Sequence, residues 1–225
     1  MQFSLFDDDN KSDQSQRELG DDGATLSDTH FIQLPLPEAD VRYYPNALSY
    51  DAATACFEAL QNELPWRQDA IKLFGKSVNI PRLQSWHGDA HCSYTYSNLT
   101  MTPNPWTETL SLLRDKCEGI SGTAFNSVLA NWYRNGQDSM SLHADDEPEL
   151  GINPTIASLT LGEGRPFVFK HKETKVRYTQ VLEHGSVLIM AGTTQSHYVH
   201  GIAKTTKPIG GRINLTFRHL IKPSR

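Results

Sequence analysis

His143 and Asp145 stand two apart in the stretch SLHADDEPEL, where a histidine and three acids crowd into five positions. An imidazole and a carboxylate at that spacing can hold one metal ion together, and they can equally form a solvated surface pair. A metal site needs a third ligand from a later segment. The stretch TQSHYVHG offers two, His197 and His200. Two histidines and one carboxylate on one side of a metal leave coordination positions open. That set suits non-haem Fe(II) and oxygen chemistry, and zinc could occupy it as well. Arg212 and Arg218 follow His200 by 12 and 18 residues.

Side chains two apart on a strand share a face. In RINLTFR, Arg212, Asn214, Thr216 and Arg218 then point one way, and Ile213, Leu215 and Phe217 the other. The apolar set belongs in a core. The polar set either meets bulk water or lines a cavity, where guanidinium forks grip a carboxylate in a bidentate manner. Asn131 and Tyr133 in NWYRNG share a face by the same rule.

These residues need a scaffold. LSYDAATACFEALQNELPW predicts a helix stopped by Pro65, with Ala52, Cys56, Ala59 and Leu60 on one face and Ser49 or Asp51 as its cap. NPWTETLSLLRDKCEGI predicts a second helix. Asn104 is its expected N-cap, Pro105 sits in the first turn, and Trp106, Leu110, Leu113 and Cys117 form a core stripe. Beyond Phe125 the chain turns to short β-branched and aromatic runs: FNSVLANWY, TIASLTLG, RPFVFK, VRYTQVL, SVLIMAG and RINLTFRHL. Such runs, separated by Gly, Pro and charged turns, predict an antiparallel sandwich, jelly roll or barrel. The fold class is α+β, mainly β, with two N-terminal helices packed on a β core.

The chain has 225 residues, room for one large domain or two small ones, and a formal charge of −5. That acidity is local. Residues 1–28 hold eight acids and two bases, which leaves 18 acids and 19 bases for the rest. A near-neutral body can still carry a basic face for nucleic acid. Residues 7–28 are polar, acidic and poor in aromatics, which predicts disorder. There is no long apolar run for a membrane and no secretory leader pattern. Cys56, Cys92 and Cys117 are odd in number and far apart, so neither a disulfide framework nor a zinc ribbon is expected. A reduced, cytoplasmic setting fits.

The order His143-x-Asp145, His200, Arg212-x-Asn214-x-x-x-Arg218 resembles the 2-oxoglutarate- and Fe(II)-dependent oxygenases, and more narrowly the AlkB family of nucleic-acid dealkylases. NWYRNGQDSMSLHADDEPEL, IASLTLGEGRPFVFKHK, HGSVLIMAGTTQSHYVH and RINLTFR carry the likeness, which covers about residues 65–220 and points to members acting on duplex DNA. Ala203 departs from it, standing where the family has a proline shortly after the last ligand.

The resemblance implies a double-stranded β-helix (jelly-roll) core in a catalytic domain over 29–225, with a nucleotide-recognition segment at about 65–100. It implies Fe(II) held by His143, Asp145 and His200, with His197 as runner-up third ligand. Arg212 would pair with the distal carboxylate of 2-oxoglutarate, assisted by Tyr133 and Asn214. Arg218 and Asn131 would lie near the end that chelates iron. The implied reaction uses dioxygen to dealkylate N-alkylated DNA bases such as 1-methyladenine and 3-methylcytosine, releasing aldehyde and succinate.

Tyr94, Tyr96 and Ser97 would line the base pocket, with Asp146 at the base edge. In IKLFGK, Phe74 would act as a wedge between Lys72 and Lys76, as intercalating side chains do. Arg82 and the run Lys170, His171, Lys172, Lys175 and Arg177 are phosphate-contact candidates. The tip QFSLF, with Gln2, Leu5 and Phe6, resembles a bacterial motif that docks on the replication sliding clamp, the acidic stretch behind it serving as tether. A monomer is expected, nucleoid-associated in a bacterium. Two alternatives stand beside this reading. One is the same chemistry on RNA, protein or a small molecule, and the other is a non-catalytic nucleic-acid-binding β-barrel.

Overall fold

The computed structural model describes residues 30–221 except 74, 75, 93, 97 and 98; the side chains of 71–73, 76, 94–96 and 99–101 also fall outside the description. In chain order the elements are β1 (Ile32–Gln33), β2 (Asp40–Tyr44), α1 (Tyr50–Glu63), β3 (Ala70–Leu73), β4 (Lys76–Asn79), β5 (Leu83–Gly88), β6 (Tyr94–Tyr96), β7 (Leu99–Met101), α2 (Glu108–Ser121), β8 (Ser127–Tyr133), β9 (Met140–His143), β10 (Ile156–Gly162), β11 (Arg165–His171), β12 (Arg177–Leu182), β13 (Ser186–Ala191), α3 (Thr194–His197), β14 (Tyr198–Ile202) and β15 (Arg212–Arg218).

Local chemistry starts and stops the helices. The Ser49 hydroxyl accepts the Ala52 amide and begins α1, which ends at Leu64, ahead of Pro65. Its buried face runs through Ala53 and Leu60, with Cys56 and Phe57 beside them. Ala52 is exposed, so the apolar stripe sits one residue away from the predicted face. The second helix begins later than its sequence suggests. Thr107, not Asn104, caps α2 by accepting the Leu110 amide, and Gly122 closes it at φ 69°. Asn104 instead reaches across to the Trp86 carbonyl. Trp106 stays outside the helix because its indole N–H bonds Asp89 and its ring stacks on Phe217. Leu110, Leu113 and Cys117 are buried as predicted.

Seven strands make one sheet in the order β1-β2-β13-β10-β15-β8-β5, and four make a second in the order β12-β11-β14-β9. From β8 onward the chain alternates between them, except at the hairpin β11-β12 within the smaller sheet, and all the strand pairings are antiparallel. Two facing sheets built by one alternating chain are a double-stranded β-helix, the jelly-roll core expected. The hairpins β3-β4 and β6-β7 stand apart from both sheets.

The large sheet is buried on both sides, for different reasons. Its outer face packs under α1 and α2 through Leu159, Leu215, Phe217 and Val128. Each fully buried leucine there contributes about 1.5–3 kcal/mol. The inner face meets the small sheet through Tyr133, Phe169, Leu188, Met190 and Tyr198. RINLTFR divides between the two. Ile213, Leu215 and Phe217 go under the helices, while Arg212, Asn214 and Thr216 turn inward at 0%, 6% and 8% exposure. The polar set therefore lines the inside of the jelly roll and does not meet bulk water. Among the described residues no helix is long and apolar enough to cross a membrane, and the three cysteines are free thiols.

Candidate active site

Strands β9 and β14 are neighbours, and their register sets His143 opposite His200. A Cβ on Gly201 would lie 2.7 and 2.9 Å from the carbonyl oxygens of Met140 and Ser141, so glycine allows the close approach of the strands beside His200. Asp145 follows β9 and is 1% exposed. One ligand atom each from His143, Asp145 and His200 lie within 4.8 Å of one another. His200 Nε2 is 3.4 Å from Asp145 Oδ2, and His143 Nε2 is 4.0 Å from Asp145 Oδ1. Bonds of about 2.0–2.2 Å to a shared ion would place such donors roughly 3 Å apart. Small side-chain movements close the set on a cation.

The protonation pattern fits as well. His143 Nδ1 lies 3.0 Å from the Ser141 carbonyl oxygen, which can only accept. Nδ1 therefore carries the proton, and the Nε2 lone pair faces Asp145. Burial first, then the neighbouring His200, lowers the His143 pKa and favours this neutral form. For Asp145, burial opposes ionisation, but the Arg218 guanidinium, followed by His200 and His143, outweighs it and holds the carboxyl well below the usual range. Arg218 Nη2 donates directly to Asp145 Oδ1. Phe167 stacks on His200 with ring centroids 5.2 Å apart.

Glu38, His171 and His197 form a second histidine–carboxylate group. Here the protons are in the wrong place for a metal. His171 Nδ1 accepts the amides of Glu173 and Thr174 at 3.1 and 3.2 Å, so its proton sits on Nε2 and points to Glu38. His171 Nε2, which faces Glu38, therefore has no lone pair to give, and only His197 Nδ1 and the Glu38 carboxylate are left as donors. His197, the runner-up ligand, belongs to this group and lies outside the His143–Asp145–His200 set.

An anion niche adjoins the metal set. The register of β15 places Arg212 opposite Tyr133 and Gly162, and Asn214 opposite Asn131 and Thr160. Arg212 is completely buried, with Nη2 on Thr160 Oγ1 at 2.8 Å and its Cζ 5.4 Å from the Tyr133 ring centroid. Its Nε and Nη1 find no partner. Burial brings the guanidinium down to about 10. Unpartnered donors on a buried cation are what a carboxylate satisfies in bidentate fashion. Asn214 is fixed by bonds from its amide to Ser158 Oγ and the Leu159 carbonyl at 2.8 and 3.0 Å. Asn131, Tyr133, Asn214, Arg218, His143 and Asp145 line one cleft.

The same face of the large sheet continues toward its edge strand β5 as a groove of about 650 Å³. Arg67, Gln84, Trp86, Leu129, Glu147 and Arg218 border it.

Several supporting residues escaped the sequence reading. Ser158 and Thr160 sit two apart in an otherwise apolar buried strand, a pattern that marks a polar inner face. Gln195 had no such signal, yet its side-chain oxygen accepts the Asp145 amide at 2.9 Å. Arg165, 2% exposed, holds the Ala203 carbonyl at 2.7 Å. A proline would offer the same carbonyl, so the departure at Ala203 leaves this contact intact.

Other expectations change. Arg82 does not lie on the surface for a phosphate. It is 9% exposed, with Nε on Asn131 Oδ1 at 2.8 Å. His171 is buried too. Lys172 is committed to Asp146 Oδ2 at 3.2 Å and the Gln195 carbonyl at 2.8 Å. Asp146 is exposed and faces Lys172, apart from the residues lining the cleft. Lys175 and Arg177 remain exposed. Tyr94 and Tyr96 belong to β6, and Lys72 and Lys76 to β3 and β4, but the side chains of all four fall outside the description. Ser97, Phe74, Gln2, Leu5 and Phe6 lie outside the described residues.

A jelly roll holding a His-x-Asp pair, a distant histidine and a buried arginine niche between its sheets defines the scaffold of a mononuclear iron, keto-acid-dependent oxygenase. The family model of the 2OG-Fe(II) oxygenase superfamily matches residues 40–218. DNA oxidative demethylase ALKBH2 of Homo sapiens is 37% identical over 180 residues, 75% of this chain and 69% of that protein. The Bos taurus ALKBH2 is 36% identical over 77% of this chain and 66% of its own length. Alpha-ketoglutarate-dependent dioxygenase alkB homolog 3 of Bos taurus is 41% identical over 77% of this chain and 64% of that protein. The chain thus spans about two thirds of the length of these relatives. The solved structure of OsALKBH1 matches with a TM-score of 0.58 over 84% of this chain and 100% of that one; at 16% identity it speaks to the fold alone. This chain belongs to the 2OG-Fe(II) oxygenase superfamily and, within it, to the AlkB family. Its co-reactants are Fe(II), 2-oxoglutarate and dioxygen.

Proposed function

We propose that this chain is a DNA repair dioxygenase that removes N-alkyl groups from damaged bases such as 1-methyladenine and 3-methylcytosine. The observation that carries the reading is the pairing, inside one jelly roll, of His143, Asp145 and His200, whose ligand atoms lie within 4.8 Å of one another, with a fully buried arginine that has two unpartnered donors. The names of the ALKBH2 relatives supply the substrate class.

In this reading His143, Asp145 and His200 hold Fe(II). Arg212, helped by Tyr133 and Asn214, grips the distal carboxylate of 2-oxoglutarate, and Asn131 and Arg218 orient its keto-acid end. When bound, iron and keto acid supply oxidising power: one atom of dioxygen enters succinate as carbon dioxide is lost, and the other reaches the N-alkyl carbon. The hemiaminal on the base then breaks its C–N bond. The ring nitrogen keeps the electron pair, and a methyl leaves as formaldehyde. Phe167 and Met190 keep the cleft wall apolar.

The base must leave its stack, at a cost of a few kcal/mol. A methyl on the pairing edge has already broken the pair, so a lesion is cheaper to extrude. The groove beside Arg218, lined in part by Trp86, offers room for it. Tyr94, Tyr96, Ser97 and Asp146 are the proposed recognition set. Residues 29–225 would act as one catalytic domain, working as a monomer, with about 65–100 recognising the nucleotide. The tip of the 1–28 tail would dock on a sliding clamp, with the acidic stretch behind it as the tether. The enzyme would work wherever its DNA is kept, the cytoplasmic nucleoid in a bacterium.

Formaldehyde and succinate release should be measured with Fe(II), 2-oxoglutarate and methylated single-stranded DNA, duplex DNA and RNA. Release from methylated DNA is expected. Release from RNA alone would move the substrate, and binding without turnover would leave only a nucleic-acid-binding barrel. Phe74→Ala should lower turnover on duplex by about tenfold, since a lost stacking contact is worth ~1–3 kcal/mol, and should spare single strands. Equal losses on both would remove the wedge role. Changing Leu5 and Phe6 to alanine should abolish retention by an immobilised clamp; undiminished retention would end that assignment.

A further inference from the structure

We infer that Arg82, with Gln84, is a positioning residue for 2-oxoglutarate that acts through Asn131. The inference rests on the assignment of the cleft as the keto-acid site. Arg82 Nε and Gln84 Nε2 both point at one atom of Asn131, each at 2.8 Å. A guanidinium can only donate, so the atom between them is the amide oxygen. Asn131 therefore cannot flip, and its NH₂ is the end available to an acceptor in the cleft it lines. Both oxygens of a carboxylate, and a keto oxygen, are acceptors. Were the amide free to turn, half of its orientations would present an oxygen to an anion.

The arrangement is built rather than incidental. Arg82 is 9% exposed and also donates from Nη1 to the Ser139 carbonyl at 3.3 Å, which ties the entry of β5 to the approach of β9. Asn131 is 2% exposed and sits opposite Asn214 and Gln84 in the sheet. The two donors thus come from the edge strand of the sheet, where the groove lies, and end at the co-substrate cleft. An arginine kept for phosphates would have its head group in water.

Titration calorimetry of 2-oxoglutarate into the Mn(II)-loaded full-length protein tests this, with Arg82→Met and Arg82→Lys beside the wild type. Lysine keeps the charge and most of the length, so it guards against a folding failure of the methionine variant, yet it cannot reach Asn131 and Ser139 together. Both variants should bind 2-oxoglutarate about tenfold more weakly, the loss of one charge-assisted hydrogen bond. In an Asn131→Ala background, Arg82→Lys should change the affinity no further. Affinity for a methylated duplex, and its salt dependence, should match the wild type. A phosphate contact predicts the reverse. Arg82→Met would then weaken DNA binding and reduce the salt slope by about one, Arg82→Lys would restore it, and 2-oxoglutarate binding would be unchanged; that result overturns the inference. Wild-type protein that fails to bind 2-oxoglutarate would overturn the cleft assignment and the inference with it. Wild-type binding with both variants equal to it would overturn the role of Arg82 alone.

Discussion

Arg212→Met is expected to raise the melting temperature of the protein and nearly abolish its hold on 2-oxoglutarate. The two effects have one cause. Arg212 is fully buried, yet two of its nitrogens have no partner. A buried charge without compensation is costly, and replacing such groups by apolar side chains of similar volume often stabilises by about 1–4 kcal/mol. Some of that gain is lost with the bond to Thr160 and the contact with the Tyr133 ring. A net gain of about 1–2 kcal/mol is left, which for a domain of this size is a few degrees in melting temperature. The same change removes two charge-assisted hydrogen bonds to the distal carboxylate. At ~1.5–3 kcal/mol each, affinity should fall at least about 100-fold. Wild-type protein should gain stability when 2-oxoglutarate is added, by mass action, and the variant should not. A variant that melts lower and binds 2-oxoglutarate normally would make Arg212 a structural residue.

Asp145→Ala should abolish turnover, by about three orders of magnitude or more, through loss of the metal. Metal analysis after dialysis and succinate release are the two readouts. The effect reaches beyond a missing ligand. Asp145 is 1% exposed and is the acceptor for Arg218. Removing it strands a half-buried guanidinium beside two imidazoles, and breaking a buried pair from one side costs about 3 kcal/mol or more. The variant should therefore also unfold at lower denaturant. Retained stoichiometric Fe(II) with unchanged turnover would dissolve the proposed ligand set. The contrast with Arg212 is informative. Asp145 is already compensated in the protein, by Arg218 and by two rings, while Arg212 keeps two nitrogens without a partner.

These opposite expectations could not be drawn from residue types. Both are charged residues on motifs, and both were legible as candidates. What separates them is whether each charge has a partner within the fold. Arg82 makes the same point from the other side. Its sequence setting, near lysines and an exposed-looking turn, reads as surface. Its partner Asn131 lies 49 residues away and appears only when β5 pairs with β8.

Alternation was legible in the sequence because it is a local property. A strand places residues two apart on one face, and a helix those three or four apart, so RINLTFR, NWYRNG and the helix stripe of Leu110, Leu113 and Cys117 could be sorted from the sequence. The two candidate arginines on one face of RINLTFR and the mainly β class followed from such patterns, and the candidate ligand set from the resemblance they helped to reveal. The tertiary structure decided what neighbours each face would meet. It turned the polar side of β15 into the inside of a jelly roll. It took His200 into the metal set and left His197 with Glu38, 159 residues earlier. It also placed protons, putting one on Nδ1 of His143 and one on Nε2 of His171 by the backbone groups each ring happens to face. Burial and hydrogen-bond partners are set by segments far apart in the chain, and their effect on a charge is as large as the charge itself.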